Sequence, residues 1–197
     1  MSLKEQRNNL YPIFLKAENL NILIIGGGNV AEEKLRFLLK SSPNANVTMV
    51  SPMYRHQTIA LANKFEIEMI LARYHKRFLK GKHIVIATTD IPSVNIKIYE
   101  HCRKKSKLIN VADNPPYCDF YMGGIVTKGN VKVAISTNGK SPTTAKRLRQ
   151  FFEEVLPENV DDLVNNLNEY RKTIKGDFEE KVEILNEFTK GLLQSKE

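Results

Sequence analysis

The sequence predicts an α/β fold: an N-terminal parallel sheet with helices on its faces, then an antiparallel segment, then a small C-terminal helical domain. Three observations carry this. Short apolar runs rich in β-branched residues alternate with amphipathic stretches from residue 20 to residue 113, the pattern of βαβ units and a parallel sheet. Two strand-like runs, FYMGGIVTKG and NVKVAIST, then meet at a Gly-Asn pair at 129–130, a hairpin mark that implies antiparallel pairing. From Pro142 onward apolar residues recur at helical spacing, punctuated by Pro157 and Gly176. The expected division is residues 1–113, 114–145 and 146–197.

The elements follow in order. LNILIIG at 20–26 is a compact apolar run ending in glycine, as expected of a strand buried on both faces. The next stretch places Val30, Leu35, Leu38 and Leu39 on one helical face, with Glu32, Glu33, Lys34 and Arg36 largely outside it. A short strand is expected at Val47–Val50, a helix at 56–65 and a strand at Glu66–Leu71. HIVIATTD at 83–90 reads as another buried strand, a helix from Pro92 to Lys105 follows, and LINVAD at 108–113 closes the series. Past the hairpin, FFEEVL, DDLVNNLNEY and KVEILNEFTKGLL supply the helices.

Composition narrows the class. With 197 residues, 42% hydrophobic and 26% charged, the chain can bury a core without disulfides or metals. Cys102 and Cys118 fit neither a metal-ligand spacing nor a disulfide framework, which points to a reduced compartment. No run approaches the apolar length of a membrane span, and MSLKEQRNNL lacks the features of a signal peptide. A cytoplasmic protein is expected. The net charge of +8 fits either nucleic acid or a small polyanion. The cations are dispersed, without interleaved aromatics, so the stacking surface of a single-strand binder is not expected. His101, Cys102, Arg103, Lys104 and Lys105 read as a solvated helix end. His56, His75, His83 and His101 lack ligand spacing, so no bound metal is expected.

The chemistry begins at GGGNVA, residues 26–31, which satisfies G-x-G-x-x-A through Gly26, Gly28 and Ala31. The first glycine permits the tight turn out of the strand and the second lets a pyrophosphate approach the backbone. The small third residue lets the helix pack close. The helix N-terminus then offers free N–H groups to the phosphates. Strand before and helix after make this a Rossmann-type dinucleotide site; no Gly-Lys-Ser/Thr closes the turn, which excludes a P-loop. The acid expected on the ribose is missing, because the second strand runs into Ser51, Pro52, Met53, Tyr54 and Arg55. Backbone groups or Ser51 must hold the ribose, and Arg55 either reaches a 2′-phosphate or faces solvent.

At this point the chain resembles a known family. YPIFLKAENLNILIIGGGNVAEEKLRFLL, then IATTD with Val94-Asn95, then NVADNP, then VAISTNGKSPTTAKRLR are similar to precorrin-2 dehydrogenases, the N-terminal modules of siroheme synthases and their stand-alone relatives. The similarity covers most of residues 11–157 in one order. It implies NAD-dependent oxidation of precorrin-2 to sirohydrochlorin, and in some members insertion of ferrous iron to make siroheme. It also implies a homodimer built from a Rossmann domain, a central dimerisation region and a helical domain. The family's nucleotide contacts fall on the glycine turn, including Asn29 and Val30, and on Pro52 and Met53. Its essential aspartate falls on Asp113. A serine phosphorylated in some members falls on Thr137, where the hydroxyl stays but regulation is not implied. The chain lacks the length of the methyltransferase domain fused in siroheme synthases, so another protein is expected to make precorrin-2.

Asp113 stands out on physical grounds as well, at the carboxyl end of the last parallel strand where open α/β sheets bind ligands. A carboxylate there accepts a proton, binds a pyrrole N–H or assists metal entry; an Asx turn in Asp113-Asn114-Pro115-Pro116 is the plainer alternative. Thr88, Thr89 and Asp90 border the same crevice, which puts Thr88 in the cofactor set, while Asp90 is equally suited to cap the next helix. Thr137, Lys140 and Ser141 lie in the stretch 136–142 before a basic helix, suited to substrate carboxylates, although Ser141-Pro142 is also a good helix start. Two other functions compete: a chelatase-only relative with a vestigial dinucleotide site, and a non-enzymatic dinucleotide-binding regulator. Intact Gly26 and Gly28 weigh against the first, and Asp113 in its motif against the second. The expected partners are a tetrapyrrole and a second copy of the chain, without nucleic acid or membrane.

Overall fold

The computed structural model describes residues 8–190. The opening residues 1–7, and the end of the last expected helix at 191–193, lie outside them. The chain forms two compact units: residues up to Gly123 together with Ser136–Pro142, and Gly124–Ile135 together with the residues from Thr143 on.

The first unit contains β1 (Ile22–Ile25), α1 (Asn29–Ser41), β2 (Val47–Ser51), α2 (His56–Lys64), β3 (Glu68–Leu71), β4 (Ile84–Ala87), α3 (Pro92–Arg103) and β5 (Leu108–Val111). All five strands are parallel, in the order β3-β2-β1-β4-β5. The chain leaves β1 toward β2 and β3, then crosses back to β4 and β5. That reversal opens a crevice beyond the carboxyl ends of β1 and β4.

Strand pleating sends alternate residues to opposite faces. Ile22, Ile24 and Met49 pack with Ala31, Leu35 and Leu39 of α1 on one face. Leu23, Ile25, Val50 and Val85 pack with Ile98 and Cys102 of α3 on the other. Burial on both faces is why β1 and β4 are continuously apolar. β3, at the sheet edge, is only partly buried.

Some boundaries differ from expectation for local reasons. β3 starts at Glu68 because Glu66 has φ +54°, outside strand geometry. β5 stops at Val111 because Asn114 N–H donates to Val111 O at 3.2 Å and turns the chain. Asp90 does not cap α3: the N-cap is Ile91, and buried Asn95 reaches back instead. Its Oδ1 accepts from the Thr89 hydroxyl at 2.7 Å and its Nδ2 donates to Thr89 O at 2.8 Å. The segment after β5 shields that outer edge: Asp119 N–H donates to Ile109 O at 2.7 Å, and Ile109 N–H donates to Asp119 Oδ2 at 3.0 Å.

In the second unit, β6 (Gly124–Lys128) and β7 (Val131–Ile135) form an antiparallel hairpin. Its turn uses Gly129 at φ +53°. Three helices complete the unit: α4 (Pro142–Val155), α5 (Val160–Thr173) and α6 (Phe178–Thr189). Asp161, in the first turn of α5, accepts from Asn130 N–H at 2.6 Å and ties the hairpin turn to that helix. Asp177 and Glu180 form a capping box at the start of α6. No helix among the described residues is long and apolar enough to cross a membrane.

Cys102 links this core to pH. Burial, and secondarily the Asp119 charge, push its thiol from 9.0 to about 12. The folded protein keeps that proton after the unfolded chain has lost it. The stabilisation is therefore complete below about pH 9 and is lost as pH rises toward about 12. Urea unfolding across this range is expected to show falling stability, with a shallower fall for Cys102→Val.

Candidate functional site

The glycine turn is held from behind by two neighbouring strands' ends. Gly26 sits at φ +131°, a conformation L side chains rarely adopt, and a Cβ there would lie 2.9 Å from Thr88 O. Thr88 is buried, and both its N–H and its hydroxyl donate to Ile25 O at 2.9 Å. Its hydroxyl proton is thus committed to bracing the end of β1.

Gly27 is the most confined of the three glycines. A Cβ there would collide with Met53 O and lie 2.8 Å from the Tyr54 ring and 2.9 Å from Ser51 Oγ. Its carbonyl accepts from Arg55 N–H at 3.0 Å and from the buried Thr58 hydroxyl at 3.1 Å. The glycine turn and the loop after β2 therefore interlock. Ser51 is spent on the same loop, donating to Met53 O at 2.6 Å. Tyr54 donates to Ile70 O at 2.9 Å, and burial pushes its phenol up to about 12. Pro52 and Met53 remain exposed at the loop tip.

Gly28 is the opposite case. It is exposed, and nothing lies within 4 Å of the position a Cβ would take. As N-cap of α1 it supplies no side-chain cap, and Glu32 N–H is the first to bond back, to Gly28 O at 3.0 Å. The N–H groups of Asn29, Val30 and Ala31 precede that bond and have no intrahelical acceptor. Ala31 is fully buried against β1, which draws the helix start close to the sheet. Open space at Gly28 beside uncapped donors fits a dinucleotide pyrophosphate.

Asp113 lies at the same end of the sheet, beyond β5. Parallel strands are spaced about 4.8 Å apart, and β5 is two strands from β1, so the two strand ends are about 10 Å apart. Asp113 is exposed with φ +57° in the turn after Val111. A left-handed non-glycine residue is uncommon, although aspartate tolerates it better than most. Cys118 clasps the base of this loop. Its thiol donates to Val111 O at 3.2 Å, contacts Asn114 O at 3.4 Å and accepts from Val111 N–H at 3.3 Å. Burial pushes the Cys118 thiol up, which keeps it a donor.

The stretch Ser136–Pro142 groups with the sheet-bearing unit. Asn138 at φ +55° and Gly139 at φ +73° bend it back on itself. Thr137 Oγ1 donates to Ser141 O at 3.0 Å and accepts from Ser141 N–H at 3.3 Å, while Lys140 stays exposed. Among the described residues, no group of three or more His, Cys, Asp or Glu is placed to hold a metal ion.

Comparison with known proteins fits this geometry. A family model described as NAD(P)-binding matches residues 13–124, more than half of the chain. The chain belongs to this NAD(P)-binding family. A second model, for the central part of sirohaem biosynthesis proteins, matches residues 128–154. A siroheme synthase of Pseudoalteromonas translucida is 34% identical over 167 residues, covering 85% of this chain and 35% of that protein. Siroheme synthase 1 of Aeromonas salmonicida is 35% identical with the same coverage. The chain thus spans about a third of the length of these curated relatives. A solved structure named SirC, precorrin-2 dehydrogenase, shares the fold with TM-score 0.74 at 21% identity, covering 90% of this chain and 88% of its own.

Within the NAD(P)-binding unit, Gly26, Gly28, Asn29, Val30 and Ala31 of the glycine turn, Ser51, Pro52 and Met53 at the end of β2, and Thr88 after β4 form one cluster at the carboxyl end of the sheet. Ser51 and Thr88 enter it as braces, with their hydroxyl protons spent on backbone carbonyls. The sequence pattern passed over Gly27, which it treats as a free position, and Thr58; three consecutive glycines were the available sign. Their different surroundings predict different phenotypes. Gly27→Ala is expected to destabilise the fold by about 1–3 kcal/mol through overpacking. Gly28→Ala is expected to unfold like the parent protein yet bind its nicotinamide dinucleotide about tenfold more weakly, about 1.4 kcal/mol. Urea unfolding and fluorescence titration with the reduced dinucleotide measure the two effects.

Proposed function

We propose that the protein oxidises precorrin-2 to sirohydrochlorin with NAD. The observation that carries this reading is the pairing, at one end of one sheet, of an open glycine turn with an exposed, left-handed Asp113. The names of the siroheme synthase relatives and of the SirC structure supply the substrate.

A nicotinamide dinucleotide bound there would supply the acceptor for the hydride that the macrocycle gives up. Gly28 and the N–H groups of Asn29, Val30 and Ala31 would hold its pyrophosphate. Met53, exposed beside Pro52, offers an apolar face for the adenosine end, and backbone groups of that loop hold the ribose in place of the missing acid. Asp113 receives the proton that leaves with the hydride, so charge and electrons balance. Lys140 and the backbone turn set by Thr137 and Ser141 bind substrate carboxylates. NAD rather than NADP is inferred from the family resemblance, because no acidic ribose ligand follows β2.

A homodimer completes the reading, with the hairpin as dimerisation element. A two-stranded sheet is marginal alone, and β6 and β7 have no third strand among the described residues. Tyr11, Ile13 and Phe14 also expose apolar side chains. Light scattering during size exclusion is expected to give twice the chain mass. A cytoplasmic location suits this chemistry.

The decisive assay mixes protein, NAD and precorrin-2 and follows sirohydrochlorin absorbance. Turnover with NAD well above that with NADP supports the proposal, and no dinucleotide-dependent turnover overturns it. Asp113→Asn is expected to keep NADH binding while kcat falls by about 100-fold or more; full activity would remove Asp113 from the reaction. Adding ferrous ion to sirohydrochlorin tests for iron insertion as a second activity.

A further inference from the structure

At the amino-terminal ends of β4 and β5, opposite the glycine turn, lies a cleft of about 820 Å³. One wall carries Lys76, Arg77 and Lys80, and the other carries Lys104, Lys105 and Lys107. The first three belong to or follow a short 3-10 turn, Lys76–Leu79, whose start is fixed by His75 Nδ1 accepting from Arg77 N–H at 3.2 Å. The other three belong to the connection from α3 to β5. Buried Leu79 and half-buried His101 also line the cleft. No acidic side chain lines it.

No acidic side chain among the described residues is paired with these charges. None of the six cations makes an ion pair among the described residues, whereas neighbouring Arg103, outside the cleft, pairs with Asp119 at 2.9 Å. Arg77 lies over the Phe78 ring at 5.0 Å, which holds its guanidinium at the wall. Burial and then the charges of Lys97, Lys104 and Lys76 hold the His101 imidazole below its usual value, with Glu100 opposing weakly. Lys76, Arg77, Lys80, Lys104 and Lys105 are exposed and Lys107 is half-buried, so solvent screens their mutual repulsion, and a polyanion seated among them would meet a positive potential from both sides.

The cleft's size and lining limit what that counter-charge is. Its volume is that of a small-molecule pocket, about 300–1,000 Å³. No Phe or Tyr lines it, so bases would have no stacking platform. We propose that this cleft binds a compact, multiply charged oxyanion, with several phosphate or carboxylate groups held between the Lys76–Lys80 and Lys104–Lys107 walls. The site is separate from the dinucleotide crevice and independent of the reaction assigned there.

Calorimetric titration of the full chain, saturated with NADH to occupy the glycine turn, tests this with inorganic triphosphate and with citrate. One saturable site is expected, and the tighter of the two ligands identifies the preferred oxyanion. Lys104→Ala/Lys107→Ala is expected to weaken binding about tenfold or more, with NADH affinity unchanged. Lys104→Arg/Lys107→Arg should restore it, which separates lost charge from lost folding. Lys40→Ala/Lys64→Ala, elsewhere on the surface, should change it less than about twofold. Equal loss in the Lys40/Lys64 variant would show diffuse attraction to the net charge and overturn the site. So would absence of saturable binding, or tighter binding of a 20-bp duplex (about two helical turns) than of triphosphate.

Discussion

Between Ile25 and Asn29 the chain must pass from a strand buried on both faces into a helix, with no room for a side chain on the inner side. Gly26 is bounded by Thr88, and Gly27 by Met53, Tyr54 and Ser51. The resulting contacts join the ends of β1, β2 and β4 into one rigid rim. Because Gly27 O is held by both Arg55 and Thr58, the loop after β2 cannot move without moving the turn. The free donors of α1 are therefore presented by a preorganised backbone.

A second clasp, chemically unlike the first, sits two strands away. There a thiol binds the backbone on both sides of the turn that carries Asp113. The end of β5 lacks a neighbouring strand on its outer side, and residues 118–120 take that place through backbone and side-chain bonds to Ile109 and Asn110. Both ends of the crevice are thus fixed by local hydrogen bonds rather than by bulk packing. The exposed residues between them stand on a frame that does not depend on a bound molecule.

Much of this was readable in advance. β1 and β4 declared themselves because burial on both faces demands unbroken apolar runs, and α1 because Leu35 and Leu39 share a face. The hairpin followed from Gly129-Asn130, since few sequences adopt that turn. The hidden parts depend on contacts between residues distant in sequence. Nothing near Gly27 indicates that Met53 O will lie against it, and nothing near Thr88 indicates that its hydroxyl will be drawn to Ile25. Cys118 fits no metal-ligand or disulfide spacing in the sequence, yet it closes the Asp113 loop, because a thiol's role rests on which carbonyls the fold brings to it. The basic cleft is hidden as well: the sequence shows Lys104 and Lys105 only as part of a solvated helix end, because half of the cleft's cations, Lys76, Arg77 and Lys80, lie more than 20 residues earlier.

The central position of β1 also bears on how the chain is made. Ile22 pairs with Val47 on one side and with Ile84 on the other. The second partner emerges 62 residues later (84 − 22). At synthesis rates of about 5–20 residues per second, that gap lasts about 3–12 s. Throughout it, a strand with no polar face has at least one unpaired edge, two until Val47 emerges, and the nascent chain must be kept from associating through them.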